Sequence, residues 1–111
     1  LKEVAMFARN VSIRLKPTTL NDFAQTFEKE VVPMLRKQAG FRDEIALANE
    51  NGTHVTAISL WDSKEQAEAY EKTAYPGVLK GLEKYMDGAP KVHPGTVINS
   101  TLHKLAAVVA A

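Results

Sequence analysis

The sequence contains no cysteine. That removes any disulfide frame, thiol nucleophile or thiolate metal site, and it fits a reducing compartment. Neither sign of charge dominates. Fourteen Lys and Arg against 13 Asp and Glu leave +1, and no basic cluster stands anywhere in the chain. A nucleic-acid partner is therefore not expected. No stretch approaches the length of a membrane span, which needs about 20 apolar residues. The apolar "LAAVVAA" of residues 105–111 is far too short, so no membrane partner is expected either. The beginning of the sequence lacks the charged-then-apolar order of a signal peptide, and the expected location is the cytoplasm. Glycine-rich phosphate loops, nucleophile elbows and catalytic triads are missing. The three histidines show no metal-ligand spacing and no carboxylate pair joins them, so neither metal nor cofactor is expected.

What is present suits one soluble domain of 111 residues, 45% apolar and 24% charged. We expect a core over about residues 5–104 and a tail over 105–111. "AMFARNVSIRL" reads as a strand: Phe7, Val11, Ile13 and Leu15 share one parity, while Asn10, Ser12 and Arg14 share the other. Arg9 interrupts the apolar parity. After "KPTT", where Thr18 or Thr19 can cap, apolar residues from Leu20 to Leu35 recur at three- and four-residue steps, as in a helix. Pro33 should kink that helix and Gly40 should end it. "FRDEIALA" and "THVTAISLW" are two strands joined at Asn51-Gly52, a strong hairpin signal. Ser63 and Gln66 open a second helix as a capping box, Pro76-Gly77 bends it, and "VHPGTVINSTLHKL" is a last strand.

The order β-α-β-β-α-β is the ferredoxin-like α+β motif, an antiparallel sheet with both helices on one face. Apolar residues fall on both parities of the third strand, so the other face needs a cover too. One chain has no further helices to supply it. A homodimer packed sheet to sheet is expected.

Three features resemble the antibiotic biosynthesis monooxygenase family, roughly from Phe7 to His103. They are "AGFRDEIAL", "AISLWDSKEQAEAY" and the element order itself. The resemblance implies a homodimeric α+β barrel with a cavity between sheet and helices in each subunit. It also implies a small hydrophobic or aromatic ligand. Several relatives oxidise hydroquinone- or anthrone-like rings with O₂ and no metal or flavin. A haem-degrading branch also resembles the chain around "LWDSKEQAEAY", but Tyr70 stands where that branch has Trp and Lys80 where it has the haem-ligating His. Asn10 is near that branch's strand Asn, on the opposite parity.

Under the monooxygenase resemblance, Trp61, Tyr70 and Arg9 are the substrate-binding candidates, and Asn10, His103 and Tyr70 the catalytic ones. Each also has a plainer structural role, which is the first expectation for all but Asn10. Trp61 would be core, with its indole N–H hydrogen-bonded nearby. Tyr70 shares its helix face with Ala67 and Ala74, which either leave room for a cavity or let helix and sheet approach closely. Arg9 would make a salt bridge. His54 and His93 are expected at the surface, and His103 at the surface or an interface. The rival functional reading is a small-molecule-binding or stress-response dimer with no catalysis.

Overall fold

The computed structural model describes residues 5–102. Four strands form one antiparallel sheet: β1 (Phe7–Arg14), β2 (Phe41–Ala48), β3 (His54–Trp61) and β4 (Lys91–Thr96), in the spatial order β2-β3-β1-β4. With the helices between β1 and β2 and between β3 and β4, this is the ferredoxin-like α+β fold. β1 shows the alternation its sequence dictates, with Phe7, Arg9, Val11 and Ile13 buried and the residues between them less so.

The first helical stretch is α1 (Leu20–Thr26), a π-helical turn over Phe27–Val31, and α2 (Val32–Arg36). Pro33 lies in the first turn of α2, where its missing N–H costs least, and the π turn before it absorbs the mismatch. Thr19 occupies the N-cap without capping; its hydroxyl donates to the Lys16 carbonyl instead, and Thr18 takes φ 59°. Gly40 ends the excursion at φ 83°, and its carbonyl accepts from the Asp62 N–H at 2.8 Å.

The β2–β3 hairpin is looser than a two-residue turn. Only Gly52 takes positive φ, at 67°. Asn49 organises the loop, its Oδ1 accepting from the N–H groups of Thr53 (2.9 Å) and His54 (3.1 Å). This side-chain capture supplements a backbone turn in which the Gly52 N–H donates to the Asn49 carbonyl at 3.1 Å.

α3 (Lys64–Thr73) starts at Ser63, whose Oγ accepts from the Gln66 N–H and donates to the Gln66 side chain. α4 (Tyr75–Leu82) follows after a break at Ala74, two residues before Pro76. The core lies between this helical layer and the sheet. Phe23 and Trp61 are its largest fully buried side chains.

β4 is shorter than the sequence pattern implies. It pairs only with β1, and after the Val97 N–H reaches the Met6 carbonyl the ladder stops. Pro94 sits in this edge strand, where a missing donor is tolerated. Beyond it, Val97, Asn99 and Leu102 line a groove with Ile45, Ile58 and Leu60 on the face of the sheet away from the helices.

Candidate functional site

A β-bulge sets up the site. Phe41 pairs with Trp61, and Asp43 with Leu60, so β2 carries one extra residue, Arg42. Arg42 points outward to an ion pair with Asp62. The extra residue reverses the parity of all that follows. Glu44, Ala46 and Ala48 face the helices, opposite Ser59, Ala57 and Val55. Ile45 and Leu47 turn to the outer face and are half exposed.

Between the sheet and the helices lies a narrow cavity of about 40 Å³, partly open at its mouth. Its walls are mostly aliphatic: Val11 and Ile13 from the sheet, Val31 and Leu35 from α2 and the π turn, Val78 and Leu82 from α4. Five polar side chains also face it: Arg9, Glu44, Ser59, Tyr70 and Tyr75. An apolar cavity with a few convergent polar groups is the usual form of a small-molecule site.

Arg9 is only 4% exposed. Its guanidinium lies over the Tyr75 ring at 4.1 Å from the centroid and stands 5.3 Å from that of Tyr70. It also pairs with Glu71 of α3 at 3.4 Å. Glu71 is about half exposed, so this pair neutralises the arginine from the solvent side only. The cation–π contacts supply the rest of its stabilisation.

Burial pushes the Tyr70 hydroxyl up to about 12, although Arg9 pulls the other way. Tyr75 is also raised by burial and opposed by Arg9. Both phenols are therefore neutral donors at working pH. The Tyr75 hydroxyl is sealed from solvent, with the Arg9 guanidinium stacked on its ring and close enough to oppose the upward shift. Glu44 Oε2 is also sealed, and it is unpartnered among the described residues. Burial alone raises this carboxyl to about 7. The site thus combines one fixed cation, two neutral donors and one carboxyl poised near neutrality.

The family model for antibiotic biosynthesis monooxygenases matches residues 6–77. The chain belongs to this family. Its fold is similar to that of a monooxygenase from the gene ActVA-Orf6 of Streptomyces coelicolor, solved in complex with the ligand nanaomycin D. That likeness has a TM-score of 0.74 and 20% identity, covering 91% of this chain and 94% of that one. SnoaB, a cofactor-independent oxygenase from Streptomyces nogalater, superposes at 0.73 with 10% identity, covering 89% and 99%. A protein of unknown function from Nitrosomonas europaea does so at 0.73 with 12% identity, covering 93% and 99%. At these identities the likeness is one of fold. No curated protein matches the chain.

Within this antibiotic biosynthesis monooxygenase domain the sequence candidates separate. Arg9 and Tyr70 meet at the cavity. Trp61 is not among the residues that line it and sits behind them, in the core. Its ring is fully buried, stacked on Tyr70 at 4.9 Å and 28°, and its Nε1–H donates to Ser59 Oγ at 2.9 Å. It holds two cavity residues from behind. Asn10 is also displaced: it pairs with Ile58 and His93 and alternates with Arg9 and Val11, so it faces the outer side. His103 lies outside the described residues. His54 and His93 are exposed, as is Lys80. Ala67, 1% exposed, packs into the core, so this alanine serves close approach of helix and sheet.

Glu44, Ser59 and Tyr75 were missed. Ser59 had a signal, being polar on the buried parity of β3 two residues before Trp61. Glu44 had none, because only the bulge brings it inward. Among the described residues no three His, Cys, Asp or Glu gather as a metal would require, and no helix is long and apolar enough to cross a membrane.

Proposed function

We propose that this protein is a cofactor-independent monooxygenase acting on a small aromatic, quinone-type substrate. The observation that carries the reading is the apolar cavity with Arg9 buried beside Tyr70 and Tyr75. Aliphatic walls favour a flat, weakly polar ring. A guanidinium and two neutral phenols favour the oxyanion that forms when the ring loses a proton. Such an anion is electron-rich enough to reduce O₂ itself. One electron passes to O₂, the resulting radical pair joins as a peroxide, and loss of water leaves a carbonyl. The balance is a CH₂ plus O₂ giving C=O plus H₂O, so the substrate supplies the electrons. Two copies of the chain would pack through the outer sheet face, where Ile45 and Leu47 are exposed.

The test is oxygen uptake by chelator-treated protein offered anthrones and hydroquinones, with isotopically labelled O₂. The expected result is one O₂ consumed per product, with one labelled atom in the product and one in water. Saturable binding with no oxygen uptake would overturn the enzymatic reading and leave a binding module.

A further inference from the structure

One rung of the sheet carries three polar residues on its helix-facing side. The register pairs Arg9 with Ser59, and Ser59 with Glu44. With strands about 4.8 Å apart, the Arg9 and Glu44 backbones stand about 10 Å apart with Ser59 midway. Both side chains are long enough to converge over Ser59, and Tyr70 lies near enough to feel the charge of each.

The two ends of this rung do not satisfy each other. Arg9 is drawn to Glu71 and stacked on Tyr75. Glu44 Oε2 is closed to solvent with no partner among the described residues. A sealed, unpartnered carboxyl oxygen costs stability that an apolar side chain would not. The other β2 residues on this face, Ala46 and Ala48, are small and apolar and offer it no partner. The free lone pair points to a ligand.

We propose that Glu44 is the proton acceptor for a weakly acidic ligand hydroxyl (a phenol, hydroquinone or enol) whose oxyanion is then held by Arg9 and Tyr70. The ligand O–H bond breaks and a new O–H bond forms on Glu44; the electron pair stays on the ligand oxygen, and nothing is oxidised in this step. The charged and titratable groups facing Glu44 are Arg9 from β1, Tyr70 from α3 and Tyr75 from α4. Glu28 lies in the adjoining groove that Glu44 also lines, and Asp43, the neighbour of Glu44 on β2, shares the outer groove that Glu44 borders. Arg9 is the cation among them, and the phenols remain protonated. A carboxyl that titrates near neutrality can both take the proton and return it. This inference rests on the reading of the cavity as a substrate site, but not on turnover.

The test uses 4-nitrophenol and 4-nitrocatechol, whose phenolates are coloured and whose phenols are not. At about pH 8, one unit above the Glu44 midpoint of about 7, both the ligand and Glu44 are largely ionised when apart. Binding to the wild type should keep the phenolate colour and draw about one proton from the buffer onto Glu44, read by calorimetry in buffers of different ionisation enthalpy. Glu44→Gln should bind the phenolate with no proton uptake. Near-ultraviolet dichroism checks that the variant is folded. In turnover, the same variant should lose on the order of 100-fold or more in kcat with little change in KM. Failure of the wild type to hold either ligand as phenolate overturns the proposal. So does equal proton uptake by wild type and Glu44→Gln. If oxygen uptake is never seen but the proton difference holds, the monooxygenase reading falls and this inference stands. If oxygen uptake is seen and Glu44→Gln keeps the wild-type kcat, the inference falls alone.

Discussion

Glu44 sets a pH dependence on folding as well as on binding. Its ordinary value is 4.5, and burial in the folded chain raises it to about 7. The folded state therefore holds the proton more tightly than the unfolded one. Stability falls as pH rises from about 4.5 through about 7, then levels off. Full conversion of that difference would be about 3 kcal/mol, and partial contact with solvent reduces it to about 1–2 kcal/mol. Glu44→Gln removes the titration. It should be more stable than the wild type by that amount at about pH 8 and nearly equal at about pH 5, measured by urea denaturation. A constant difference at both pH values would show that Glu44 is not buried as described. Trp61 shows what the sequence reveals at this scale. A lone tryptophan after an apolar strand announces a buried ring, and the ring is buried. That it supports Ser59 and Tyr70 rather than touching the cavity depends on which ring lies in front, and helix-to-sheet stacking decides that.

Elements were legible where a local interaction defines them. Ser63 and Gln66 open α3 as their spacing requires, and the alternation of β1 survives intact. Elements set by long-range accommodation were not. The Arg42 bulge inverts β2, so Ile45 and Leu47 face away from the helices although they share a sequence parity with Phe41, which packs on Trp61. At the same junction the Asp62 N–H donates to the Gly40 carbonyl, tying the start of β2 to the end of β3. Gly40 is the pivot. At φ 83° an L side chain is strained, and a Cβ there would overlap the Gln66 carboxamide and stand 2.8 Å from Gln66 Cβ. Gly40→Ala should therefore cost about 1–3 kcal/mol and loosen the N-terminus of α3. Gly81 in α4 meets nothing within 4 Å, so Gly81→Ala should be neutral or stabilise by up to about 1 kcal/mol. Thermal unfolding of the pair checks the contrast. Equal effects would mean that Gly40 is replaceable and that the junction does not depend on it.

At the scale of the whole molecule, the sheet has two unequal faces. The helices cover the middle of one, leaving Ala46 and Ala48 exposed at its β2 edge. On the other, Ile45 is 50% and Leu47 53% exposed, while Leu60 lies in the groove it shares with Val97 and Leu102. The apolar residues on both parities of β3 lead one to expect a second cover, and the bulge adds to that expectation by sending two more aliphatic side chains outward. Exposed apolar surface of this kind marks an interaction site. A second copy joined by a two-fold axis would place each patch against its equivalent. Sedimentation velocity should then show a dimer for the wild type. The double substitution Ile45→Lys and Leu47→Lys sets like charges against each other across such an axis, and it should sediment as a monomer. Because both side chains point away from the cavity, the monomer should keep its near-ultraviolet dichroism. If that variant sediments as the wild type does, the chains associate elsewhere or not at all. If it loses its fold together with its partner, the second subunit is needed to hold β2, and through the bulge to hold Glu44 in place.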